Sequence, residues 1–155
     1  MSNEKMKENQ VDSGVYNVCG GEYTGEMKNG KPHGRGKIIF PNGRAYDGEW
    51  KDGMRHGYGV YTCSDGSVYD GEFQEGRRHG RGVYTYSCGD RYEGEFRNNK
   101  CEGFGTYIWA DGSRYEGMWK SGRRHGVGAY VSISGHRHKE MWKDGKYLAI
   151  PVSDN

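Results

Sequence analysis

The chain has 155 residues, a formal net charge of +2, 28 glycines and an aromatic share of 14%. One leucine, five isoleucines, nine valines and four phenylalanines are too few for a helical bundle, a coiled-coil seam or a membrane-spanning helix, which need aliphatic heptads or about 18 consecutive apolar residues. A balanced charge argues against a phosphate-tracking nucleic-acid binder, and 13 tyrosines and 4 tryptophans supply apolar area that a disordered polar chain lacks.

Residues 1–12 are charged and read as a disordered tail without a signal-peptide core. Gly14-Val15-Tyr16-Asn17-Val18 reads as an unpaired second half standing before the first full unit. From Tyr23 a similar segment opens every 23 residues, at Tyr46, Tyr69, Tyr92 and Tyr115: YTGEMKNG, YDGEWKDG, YDGEFQEG, YEGEFRNN and YEGMWKSG. A partial sixth begins at His138 as HKEMWKDG. The second halves recur as HGRGKIIF, HGYGVYTC, HGRGVYTY, EGFGTYIW and HGVGAYVS. Such internal repetition governs the fold.

Within a unit the period is 2. Tyr46, Gly48 and Trp50 share one face, while Asp47, Glu49 and Lys51 share the other, the alternation of a strand. Asp52-Gly53 inside the unit and Ser64-Asp65-Gly66 between units carry turn residues, with glycine supplying the positive φ that tight hairpins require. Each unit is therefore expected to be one β-hairpin. The chain should form about 12 short antiparallel strands spanning residues 13–146, an elongated all-β single-sheet solenoid of about six 23-residue repeats. Residues 147–155, with the apolar Tyr147-Leu148-Ala149-Ile150, should fold back as a cap or join a partner.

Glycine inside a strand leaves a slot that a neighbouring ring can cover. Two rows of rings are expected to replace an aliphatic core, one of Tyr61, Tyr84, Tyr107 and Tyr130, the other of Trp50, Phe73, Phe96, Trp119 and Trp142. The cysteines Cys19, Cys63, Cys88 and Cys101 form no C-x-x-C pair, so free thiols are expected and structural zinc is not.

The pattern Y-x-G-E-(W/F/M)-x-x-G…(H/E)-G-x-G in unbroken register resembles the MORN repeat (membrane occupation and recognition nexus) over residues 14–145. The resemblance implies a single-sheet β-solenoid used for recognition or assembly, as in radial-spoke and other ciliary proteins, parasite cytoskeletal scaffolds and junctophilins. Departures are local. Asn99 stands for a turn glycine, Glu102 for the usual histidine and Met118 for the strand glutamate, and the last unit carries His138 and Glu140 for its tyrosine and glycine.

No residue set points to catalysis, a cofactor or a metal. His33, His56, His79 and His125 share one repeat position, so successive ones should lie two strands apart, roughly 9–10 Å. One zinc ion needs all its ligands at about 2 Å. They are expected to orient hairpins instead. Glu26, Glu49, Glu72 and Glu95 repeat one environment, whereas acid–base pairs need two different ones; structural hydrogen bonding or ion pairing is expected.

Two binding features remain. The ring residues Trp50, Tyr61, Phe73, Tyr84, Phe96, Tyr107, Trp119 and Tyr130 are expected to line an aromatic groove for an extended peptide or helix of a protein partner. Lys31, Arg55, Arg77, Arg78, Lys100, Arg123 and Arg124 are expected to line a basic edge that suits acidic tails or, weakly, anionic lipid. The function expected is a non-catalytic scaffold, cytoplasmic and cytoskeletal or ciliary; the alternative is a peripheral adaptor for phosphoinositide or other anionic membrane. The terminal sheet edges offer unpaired backbone for a homodimer.

Overall fold

The computed structural model describes residues 11–148, where every regular element is a strand. Two compact units meet in sequence between Arg77 and Arg78. The N-terminal unit holds β1 (Val11–Val18), β2 (Gly21–Lys28), β3 (Lys31–Ile39), β4 (Ala45–Lys51), β5 (Met54–Thr62) and β6 (Val68–Gln74). Each pairs antiparallel with its sequence neighbour. The C-terminal unit repeats this plan with β7 (Arg77–Thr85), β8 (Arg91–Arg97), β9 (Lys100–Ile108), β10 (Arg114–Lys120), β11 (Arg123–Val131), β12 (Arg137–Lys143) and β13 (Lys146–Leu148). Both are single layers of hairpins, the architecture the 23-residue period predicts.

The ends differ from the expectation. β1 starts at Val11, inside the stretch read as a tail, because Val11 and Asp12 pair with Lys28 and Met27. β13 adds a strand beyond the expected twelve, because Asp144-Gly145 keeps the hairpin turn and sets Tyr147 against Trp142. The rest of the expected tail and cap lies outside the described residues.

Both turn chemistries hold. Within repeats two successive residues take positive φ, as at Asp52 (50°) and Gly53 (80°), the turn whose twist matches the flanking strands. Asn98 and Asn99 do the same at 48° and 69°, since asparagine tolerates this region. Between repeats Asp65 Oδ1 accepts the Ser67 N–H at 2.8 Å and Asp111 Oδ1 that of Ser113 at 2.8 Å.

The core is a stack of rings centred on residues the expected rows left out. The repeat-opening tyrosines Tyr23, Tyr46, Tyr69, Tyr92 and Tyr115 are at most 1% exposed. Tyr46 lies over Gly59, Tyr92 over Gly105 and Tyr115 over Gly128. Each hydroxyl donates three residues onward, Tyr46 to the Glu49 carbonyl at 2.7 Å and Tyr69 to that of Glu72 at 2.7 Å. The Trp/Phe row meets these tyrosines edge-on. Trp50 touches Tyr23 and Tyr46 with centroids at 5.5 and 5.0 Å, and Phe73 touches Tyr46 and Tyr69 at 5.1 Å each. In the C-terminal unit Tyr92 and Trp119 (5.3 Å), then Trp119 and Tyr115 (5.6 Å), continue the scheme. Edge-to-face contact adds to burial because ring faces and edges carry opposite partial charge.

Candidate functional site

The candidate acid–base groups have structural partners. Between Gly48↔Gly59 and Trp50↔Arg55 the register shifts, leaving Glu49 opposite a bulge where Gly57 takes φ 61°. The Glu49 carboxylate spans that bulge and accepts the Tyr58 N–H at 2.5 Å. Glu26 does the same for Arg35 at 2.5 Å and Glu95 for Phe104 at 2.7 Å. The glutamate ladder thus satisfies backbone donors that a bulge takes out of the ladder. His33 Nδ1 accepts the Asp52 N–H at 3.5 Å and His125 Nδ1 that of Asp144 at 3.2 Å, tying each hairpin turn to the next. Glu102 performs the same role for Ser121 at 2.9 Å.

The expected basic edge divides into two sets. Lys31, Arg77, Lys100 and Arg123 are exposed. Arg55, Arg78 and Arg124 are half-buried and turn the other way, onto rings. Arg55 lies 4.9 Å from the Tyr61 centroid and 5.3 Å from that of Phe73. Its Nη2 donates to the Gly76 carbonyl at 2.7 Å. Arg78 covers Tyr84 at 5.0 Å and Phe96 at 5.7 Å and donates to the Asn99 carbonyl at 2.9 Å. Arg124 sits 3.6 Å above Trp142. The physical reason is strand parity: residues 77 and 78, or 123 and 124, are neighbours and point to opposite faces. A planar guanidinium stacks on an aromatic face where an ammonium would not. These three arginines therefore seal the ring stack and do not belong to a solvent-facing charged edge.

The residues expected to line a groove also divide into two sets. Trp50, Phe73 and Phe96 are buried, at 9%, 4% and 4% exposure: repeat-opening tyrosines pack against Trp50 and Phe73 from both sides, and Tyr92 packs against Phe96 at 5.1 Å. Tyr61, Tyr84, Tyr107, Trp119 and Tyr130 are half-buried. Tyr84, Tyr107 and Tyr130 join a strip that also contains two residues the motif reading missed, Tyr86 and Trp109. Along it the centroids run Tyr84–Tyr86 at 4.6 Å, Tyr86–Tyr107 at 5.9 Å, Tyr107–Trp109 at 5.2 Å, Trp109–Tyr130 at 5.9 Å and Tyr130–His138 at 5.3 Å. Tyr86 and Trp109 stand just before the turns between repeats, where the N-terminal unit has Phe40 and Cys63. That substitution pattern was the available signal.

Asp90 fixes this strip. Its Oδ2 accepts the Tyr107 hydroxyl at 2.6 Å and its Oδ1 the Ala110 N–H at 2.9 Å. Burial first, then the bond to Asp90, pushes the Tyr107 hydroxyl well above the usual tyrosine range, so it stays a neutral donor. In the N-terminal unit the same positions offer less. Ile38 is buried, Arg44 covers Phe40 at 4.8 Å, and Cys63 stands at the repeat position of Tyr86 and Trp109. A half-open, pre-ordered aromatic strip is thus specific to the C-terminal unit. It presents flat apolar faces with fixed polar rims, which suits a bound peptide.

A family model described as the MORN repeat matches residues 23–43, 46–68, 69–91, 92–114 and 115–137. No curated protein matches the chain.

Proposed function

The chain belongs to the MORN-repeat family, a non-catalytic module of protein or membrane interaction, and from that premise we propose that it is a scaffold that binds a protein partner along its C-terminal aromatic strip. The observation that carries this reading is the Tyr84–Tyr86–Tyr107–Trp109–Tyr130 run, ordered in advance by Asp90 and left half open. Rigid rings lose little conformational entropy on binding and dominate interface energetics. Glu26, Glu49, Glu95, His33 and His125, each engaged with backbone N–H groups, support a role without chemistry.

The partner in this reading is an extended peptide or helix of a cytoskeletal assembly in the cytoplasm, ciliary or flagellar in kind. Against the anionic-membrane alternative stand Arg55, Arg78 and Arg124, three of the seven expected cations, which stack on rings. A homodimer through the terminal edges is part of the proposal, since among the described residues β13 covers β12 only at Met141–Lys143.

The test is proximity labelling in the native cell with wild type and a Trp109→Ala/Tyr130→Ala variant. Cytoskeletal neighbours seen with wild type and lost with the variant are expected. A labelling profile without cytoskeletal proteins, or one the variant leaves intact, overturns the reading.

A further inference from the structure

The face opposite the buried tyrosines changes character along the chain. At one repeat position on it the cross-strand pairs are Arg35↔Glu49 and Tyr58↔Glu72 in the N-terminal unit, and Arg81↔Glu95, then Phe104↔Met118 and Val127↔Met141, in the C-terminal unit. In the last two repeats both partners have become apolar together. Met141 also pairs with Leu148 of β13, and Met118 sits across the Gly126 bulge, beside Val127. Phe104, Met118, Val127, Met141 and Leu148 thus form one row over β9 to β13, exposed by 54%, 44%, 50%, 37% and 40%. A contiguous apolar row of this kind marks an interaction surface, where scattered single residues would not.

A second row runs beside it on the same face, nearer the hairpin turns: Lys120, Lys143 and Lys146 stand two residues from Met118, Met141 and Leu148, about 7 Å along a strand. It consists of the like-charged pairs Arg97↔Lys100, Lys120↔Arg123 and Lys143↔Lys146. All six side chains are exposed, and among the described residues none of them makes an ion pair. Like charges placed directly opposite each other destabilise a sheet, so the row costs the fold stability and complements an external anion.

We propose that this face of the C-terminal unit is a docking site for an acidic amphipathic helix of a partner protein, distinct from the aromatic strip. The apolar row crosses five strands, a span of about 19 Å, which a helix of about 13 residues matches. A segment laid across the middle of a sheet finds no backbone partners there, so it must satisfy its own N–H and C=O groups, which a helix does and a strand does not. Its apolar stripe meets Phe104, Met118, Val127, Met141 and Leu148, and acidic residues on one flank meet the six cations. A bilayer fits this surface less well. The stripe is one residue wide, and its far side is bordered by Thr106, Lys139 and the Glu116 carboxylate, which is bound at 2.6 Å by both Arg114 and Arg137. Those ionic groups would have to enter the membrane with it.

The experiment uses the full chain and three labelled synthetic peptides of about 15 residues: a leucine-striped helix flanked on one side by glutamate, its lysine-flanked isomer and a scrambled peptide of the first composition. Fluorescence anisotropy should show the acidic helix binding at least about tenfold more tightly than the other two, and more weakly as salt rises. The variant Phe104→Arg/Met118→Glu places opposite each other the residue types that stand opposite at Arg81↔Glu95 one repeat earlier, so it should retain the fold, which circular dichroism checks. It should lose about tenfold or more in affinity, and Lys120→Glu/Lys143→Glu should lose comparably. Equal binding of the three peptides, or binding indifferent to these variants, overturns the proposal. So does binding of phosphatidylserine vesicles through the same residues without peptide preference, a homodimer in sedimentation velocity that Phe104→Arg/Met118→Glu abolishes, or peptide binding that appears only after residues 149–155 are deleted.

Discussion

The ring of Tyr46 occupies the space a side chain would take at Gly59. A Cβ added at that glycine would fall 2.5 Å from Cε2 and Cζ of the ring, while the Tyr46 hydroxyl, pushed well above its usual range chiefly by burial, donates to the Glu49 carbonyl. Ring and bare backbone form one unit of the fold. Gly59→Ala should therefore cost about 3 kcal/mol, the upper end for overpacking. Tyr46→Phe, which keeps the ring and removes one hydrogen bond, should cost about 1 kcal/mol. Urea unfolding followed by tryptophan fluorescence checks the order of the two.

Met118 occupies the repeat position of Glu26, Glu49 and Glu95, whose carboxylates accept a backbone N–H across the bulge. Met118→Glu should give Val127 the same acceptor and raise stability by about 0.5–1.5 kcal/mol. The same change interrupts the apolar row, so higher stability should accompany weaker binding of the acidic helix. Thermal unfolding and peptide anisotropy on one sample check both.

Thiol reactivity should separate the cysteines. Burial pushes the Cys101 thiol up to about 11, with Arg78 only partly opposing it, whereas Cys19 and Cys88 are exposed. At about pH 8 iodoacetamide should alkylate Cys19 and Cys88 and spare Cys101 until the chain unfolds, because only the accessible thiolate reacts. Peptide mass spectrometry reads the outcome.

Acid should weaken the fold through carboxylates held below their ordinary range. Hydrogen bonds from Arg114 and then Arg137 lower Glu116 from 4.5, the Ser67 N–H lowers Asp65 from 3.8, and the Ser113 hydroxyl lowers Asp111 from 3.8. A depressed folded-state value means that the stabilisation is present above the unfolded value and lost as pH falls through the folded one. The melting temperature should hold above about pH 5 and decline below it. Glu116→Gln should flatten part of that decline and, for so accessible a pair, cost less than about 1 kcal/mol at neutral pH.

The candidate site was legible in part. Tyr84, Tyr107 and Tyr130 follow from the 23-residue register and do line the strip. Tyr86 and Trp109 were hidden because they stand beside the Gly-containing turns between repeats, where a motif reading sees a connection and no surface. The apolar row on the opposite face was hidden for another reason. Met118 and Met141 look like isolated departures from a glutamate until pairing sets them beside Phe104 and Val127.

Sequence by itself determined the repeat length, the hairpins, their positive-φ turns and the parity of each strand, because all of these depend on residues a few positions apart. Only the tertiary structure decided that the repeat-opening tyrosines, and not Tyr61 and its equivalents, form the buried centre, and that Arg55, Arg78 and Arg124 fold onto rings while Arg77 and Arg123 face water. Those outcomes depend on which ring, guanidinium or bare glycine a neighbouring strand places opposite, and a sheet brings together residues about 20 positions apart whose fit no local pattern encodes.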